Sequence, residues 1–338
     1  MRHIAQISHI KLGRRANENE NLTNNWENLD INNLAVPQGK TIFVFGGNTT
    51  NRPESANGNA KIIKTLLAPE QAENTTILSF FYDSEPMKSD GYLLKDYINE
   101  AVLLYKKTFR PLIYDKKGYM KEMKGIEQAF DKIIFASHCS GNKFVNIIID
   151  ELYSELITKY PPKTAEMLIN KIQLYSYAPY EMPSHNVNAF CVTPYFDPSY
   201  SWAKALDLAE SQKVDLDYPK GIIKELMKAK RQTRFKECFD GVFKGTRAIM
   251  FKIGHTTYFI PSKMNPRTSV GDHSIECVAK PQFLNSGTDF QENAQLANFA
   301  SKLFLNRFIK TKAIDSKITF NEISSKIEHN KPDAREFE

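Results

Sequence analysis

Cysteine is scarce in this 338-residue chain: there are four, at 139, 191, 238 and 277, with no CxxC or CxxH pair. That spacing argues against a disulfide framework and a cysteine–histidine zinc site, and a reducing compartment fits it better. Long apolar runs are missing as well. No segment approaches the roughly 20 apolar residues that span a bilayer. The opening, MRHIAQISHIKLGRR, lacks the apolar region of about 7–15 residues that a secretory leader needs. The expectation is a soluble, cytoplasmic protein, exported, if at all, by a route that uses no cleaved signal. Charge of one sign is not concentrated either. The net charge is +6, but the lysines are spread along the chain among Asp and Glu, so nucleic acid is not an expected partner. The one glycine pair, Gly46-Gly47, is followed by neither GKS/T nor GxGxxG spacing. A phosphate-cradling loop is not expected there, and the sequence implies no cofactor and no metal.

What is present is alternation. KTIFVFGG (40–47), TTILSFFY (75–82), DKIIFAS (131–137), NKIQLYSYAP (170–179) and NVNAFCVTPYF (186–196) read as short buried strands. RAIMFKIGHTTYFIPS (247–262) reads as two strands about a tight turn. Segments with helical spacing fall between them: NAKIIKTLL (59–67), YLLKDYINEAVLLYKK (92–107), GIEQAF (125–130), NKFVNIIIDELYSELITKY (142–160) and QLANFASKLFLNRFIK (295–310). Strands separated by helices of ten or more residues predict an α/β fold, a doubly wound and mostly parallel sheet covered on both faces. The polar residues 1–36 are expected to form an arm with little structure of its own. The sheet domain would occupy 37–311, and 312–338 would be a polar tail. Residues 199–246 carry only helix-like sequence and are expected as a helical cap inserted over the sheet's carboxyl edge. Within that segment Ile222, Ile223, Leu226, Met227 and Ala229 form an apolar side, and Lys220, Lys224, Lys228, Lys230 and Arg231 a basic one. A solvated helix packed on the domain is one reading of 219–246; peripheral membrane or acidic-ligand contact is the other.

FASHCSGNKF (135–144) stands between a strand and a helix. A nucleophile on such a turn occupies a strained backbone position, so residues two before and two after it must be small. Ser137-His138-Cys139-Ser140-Gly141 satisfies that rule about Cys139. Centring on Ser140 would require His138 and Asn142 to be small, and centring on His138 would make an imidazole the nucleophile. Cys139 is therefore the candidate, at the amino end of helix 142–160, where backbone N–H groups and the helix dipole favour a thiolate. A small buried cysteine in a tight turn is the alternative. Asp197, just past NAFCVTPYF and before Pro198, is placed to orient a histidine, or else simply forms the turn. Two later histidines qualify as the base. His255 sits in the expected hairpin turn, and His273 sits in a loop about to enter a helix; His273 is preferred. Asp272 is a helix-cap candidate. An oxyanion hole would use the backbone N–H of Ser140 and that of Gly47 or Asn48.

The order IFVFGGN, IIFASHCSG, LYSYAPYEMP, AFCVTPYFDP, MFKIGHTTYFIPS, GDHS resembles the α/β-hydrolase superfamily, and within it the class 3 lipase branch, over about residues 40–310. The family usually has Ser where this chain has Cys139, although relatives such as dienelactone hydrolases use Cys with His and Asp. The resemblance implies a hydrolase or acyltransferase acting on ester or thioester bonds of a small acyl or lipid substrate. Cys139 would be the nucleophile, His273 the base and Asp197 its partner, with a thioester intermediate. A retired hydrolase scaffold that docks a partner or membrane through its basic insertion is the alternative. A cysteine protease is a third reading, which the Asp-before-His order does not favour.

Overall fold

The computed structural model describes residues 7–12, 40–47, 50, 53–82, 98–99, 101–195, 197, 201–212, 248–264, 272–281, 288–310 and 325. In chain order the elements are β1 (Ile7–Leu12), β2 (Thr41–Phe45), α1 (Pro53–Thr65), α2 (Pro69–Asn74), β3 (Thr76–Tyr82), α3 (Arg110–Ile113), α4 (Met123–Phe130) and β4 (Ile133–His138). They continue with α5 (Gly141–Leu156), α6 (Pro162–Ile169), β5 (Gln173–Tyr177), β6 (Asn188–Val192), α7 (Ser201–Ser211), β7 (Ala248–Ile253), β8 (Thr256–Pro261), α8 (Glu276–Ala279) and α9 (Thr288–Lys310).

One eight-stranded sheet runs in the order β1-β3-β2-β4-β5-β6-β8-β7. Every pairing is parallel except β7 against β8. Parallel strands need crossover helices, which cover both faces, so each face must be apolar. β2 meets that requirement by alternation. Phe43 and Phe45 pack with Phe80, Phe135 and the α5 residues Phe144, Ile148 and Leu152 on one face. Ile42 and Val44 pack with α1 and α9, through Ile62, Ile63, Phe304 and Phe308, on the other. The α/β expectation holds at this level.

Two sequence expectations change. The arm over 1–36 is expected to have little structure of its own; within it Ile7–Leu12 forms the edge strand β1 by pairing with β3, in parallel register from Ile7↔Ile77 to Leu12↔Tyr82. With Ser8, His9 and Lys11 in six residues, its apolar pattern is too thin to stand out; pairing to a distant strand makes it one. The helix expected over 92–107 is described at 98–99 and 101–104 and then widens into a π-turn, Tyr105–Phe109, ahead of α3. Pro111 contributes no N–H and its ring crowds the preceding turn, which accounts for the widened coil. Within the expected insertion over 199–246, Ser201–Ser211 forms the helix α7. The insertion's basic part, 219–246, lies outside the described residues, as does the tail over 312–338 apart from Ser325.

The connections place the site. From β2 the chain crosses by α1 to β3 on one side, and from β4 it crosses by α5 to β5 on the other. The carboxyl ends of β2 and β4 thus flank the point where winding reverses, where a doubly wound sheet opens a crevice.

Candidate active site

Register brings the first two pieces together. Phe45 of β2 lies opposite Ser137 of β4, so two residues further on Gly47 reaches the level of Cys139. Contact is close: a Cβ on Gly47 would sit 2.8 Å from Cys139 Cβ and 3.4 Å from its sulfur. Only glycine leaves that space open.

Cys139 has φ +53°, a left-handed conformation costly for a residue with a side chain. Its surroundings hold it there. Its N–H donates to the Tyr177 carbonyl at 3.2 Å, and its carbonyl accepts from the Tyr180 N–H at 2.9 Å. α5 begins two residues later. A Cβ on Gly141 would collide with the Phe45 and Gly46 carbonyl oxygens, so the helix can approach β2 this closely only with hydrogen there. On the other flank, Ser137 Oγ donates to Asn142 Oδ1 at 2.9 Å and accepts from Ser176 Oγ at 2.8 Å. The small residues on both sides of Cys139 have separate packing reasons.

His273 and Asp197 lie 76 residues apart in the chain. Asp197 Oδ1 lies 2.7 Å from His273 Nδ1, and its other oxygen accepts from Ser201 Oγ, at the start of α7, at 2.9 Å. The carboxylate is 2% exposed and therefore needs both partners. Because Asp197 occupies Nδ1, Nε2 is the nitrogen left to face the sulfur. Burial opposes charge on His273, but its hydrogen bonds and Coulomb attraction to Asp197 and Cys139 outweigh that and raise its pKa to about 10. The sulfur is within hydrogen-bonding reach of the imidazole.

Two side chains tie the His273 segment to the sheet. His138 Nε2 lies 2.8 Å from the His273 carbonyl. A carbonyl can only accept, so Nε2 carries the hydrogen and donates. Burial, and then the neighbouring His273, hold the His138 pKa down to about 4, so its ring is neutral. Tyr177 Oη donates to the Asp272 carbonyl at 2.5 Å. Asp272 Oδ2 accepts from the Met264 N–H at 3.2 Å, which fastens this segment to the chain leaving β8.

Of the other expected site residues, Ser140 is buried at the N-cap of α5 with no side-chain cap bond, and Asn48 lies outside the described residues. His255 sits in the β7–β8 turn, exposed, its N–H donating to Asn186 Oδ1 at 2.7 Å. Its carbonyl accepts from Ala189, near the start of β6, which places it at the opposite sheet edge from Cys139. Sequence reading missed His138, Tyr177 and Ser201 as supports. His138 stood beside the candidate cysteine, but nothing local showed that its partner would be a carbonyl 135 residues away. Among the described residues there is no cluster of three or more His, Cys, Asp or Glu suited to a metal ion, and no helix is long and apolar enough to cross a membrane. No protein-family model matches the chain, and no curated protein matches it either.

Proposed function

We propose that this chain is a hydrolase or acyltransferase of the α/β-hydrolase type, acting on ester or thioester bonds through Cys139, His273 and Asp197. The observation that carries the reading is a cysteine at φ +53° on a strand-to-helix turn, within reach of an imidazole whose far nitrogen is 2.7 Å from a buried carboxylate. The strand order β3-β2-β4-β5-β6-β8 and α7 following Asp197 are in keeping with that fold and with a cap that begins there.

The steps follow from the chemistry of the three groups. His273 Nε2 holds the thiol proton, and Asp197 steadies the resulting imidazolium. The thiolate forms a bond to the substrate's carbonyl carbon, and the carbonyl π electrons move to oxygen. The N–H groups of Ser140 and of the Gly47 loop are the donors for that oxyanion. Collapse expels the alkoxide or thiolate, which takes the proton from His273. Water, losing a proton to His273, then attacks the thioester, and the Cys139 thiolate departs as acid is released; another acceptor alcohol would give acyl transfer. A thiolate is a better leaving group than an alkoxide, so esters and thioesters suit this site better than unactivated amides.

Short-chain nitrophenyl esters and acyl thioesters are the test substrates. Cys139→Ala and His273→Ala are each expected to reduce turnover by at least about 10³-fold. Turnover at the wild-type rate by Cys139→Ala would end the proposal. A thiol-directed probe should label Cys139 ahead of Cys191, whose thiol is fully buried and whose pKa burial pushes far up.

A further inference from the structure

The loop after β5 carries Tyr180, whose N–H is bonded to the Cys139 carbonyl at 2.9 Å. Two ammonium groups converge on its ring. Lys143, in the first turn of α5, lies 4.6 Å from the ring centroid, and Lys204, in α7, lies 4.2 Å from it. Their situations differ. Lys143 forms an ion pair with Glu181 at 3.1 Å. Lys204 Nζ donates to the neutral Tyr180 carbonyl at 2.5 Å, and burial lowers its pKa. Glu181, Asp197 and Cys139 act on it through space. Asp197 is already engaged by His273 and Ser201.

We infer that Lys204, held over Tyr180, is an anion subsite beside Cys139, and that the acyl donor carries a carboxylate close to its scissile carbonyl. This rests on the reading of Cys139 as the nucleophile. A partly desolvated ammonium attracts an anion more strongly than a solvated one, and it can keep its Tyr180 bond while a second of its three hydrogens meets a carboxylate oxygen. The platform itself is fixed. The Tyr180 loop is bonded to α5 through Asn142 Nδ2 to the Glu181 carbonyl at 2.5 Å and Asn146 Nδ2 to the Met182 carbonyl at 2.9 Å. One ammonium matches one carboxylate charge, which suits a half-ester or half-thioester of a short dicarboxylic acid.

Alkylation of Cys139 in the full-length protein, by iodoacetate and separately by iodoacetamide, isolates this subsite from turnover. In each case the sulfur displaces iodide. The two reagents differ in a carboxylate, and their rate ratio cancels the amount of thiolate. Iodoacetate is expected to react faster in the wild type. Lys204→Gln should lower the iodoacetate-to-iodoacetamide ratio by about tenfold, the scale of one charge-assisted hydrogen bond. Lys204→Arg should retain most of the preference, and Lys143→Gln should lower it less, because Glu181 offsets Lys143. A ratio that Lys204→Gln leaves unchanged would overturn the subsite while leaving the nucleophile reading intact. Failure of both reagents to modify Cys139 would overturn the nucleophile reading and the subsite with it.

Discussion

His138 and His273 face each other with ring centroids 4.9 Å apart, yet their surroundings drive their proton affinities in opposite directions. An unfolded histidine titrates near 6.5. The native His138 stays neutral down to about 4, so between those values the unfolded chain binds a proton that the native chain refuses, and stability falls as pH drops. His273 is the reverse. Its native pKa of about 10 lies above the unfolded value, so its contribution is complete below pH 6.5 and is lost as pH rises towards 10. Urea unfolding across pH therefore separates the two. His138→Gln should flatten the acid decline between about 6.5 and 4, and Asp197→Asn should flatten the alkaline decline. An acid slope identical in wild type and His138→Gln would contradict the neutral ring. At this scale the small-x-Cys-x-small pattern was legible, because crowding at a strained turn is local. The His138 hydrogen bond was not, since its acceptor belongs to a distant segment.

α5 acts as a rack for the loop that follows β5. Asn142, Asn146 and Asp150 recur every four residues and so share one face. Asn142 and Asn146 bond the Glu181 and Met182 carbonyls, Asn146 Oδ1 accepts the Ser184 N–H at 3.2 Å, and Asp150 accepts Ser184 Oγ at 2.7 Å. His185 closes the row, 3.2 Å from Asp150 and 3.1 Å from Glu166 of α6; the hydrogen bond to Asp150 leads the effects that raise its pKa. Asn146→Ala would leave a carbonyl and an N–H unpaired in a part-buried seam and should cost about 1–3 kcal/mol of unfolding free energy, read from the urea midpoint at constant m-value. A loss near zero would mean that water replaces the rack. In the sequence this stripe reads only as a polar interruption of an amphipathic helix, because its partners are backbone groups with no residue signature.

At the scale of the molecule, one sheet is shared by two apolar layers. Leu152 is fully buried on the α5 side, and Phe304 of α9 stacks on Phe190 at 3.9 Å on the other. Leu152→Ala and Phe304→Ala should each cost about 2–5 kcal/mol. With the sheet between them, the double variant should match the sum to within about 0.5 kcal/mol; a clear departure in calorimetric or urea unfolding would show that the layers are coupled through the sheet. By itself the sequence determined the alternation of strands and helices, the apolar demand on both sheet faces, and the crowded turn at Cys139. These depend on neighbours within a few residues, through side-chain period and backbone sterics. Only the tertiary structure decided which of two histidines meets Asp197, that the polar opening segment supplies an edge strand, and that Lys204 lies over Tyr180. Each depends on strand order and register, which set the distance between residues far apart in the chain.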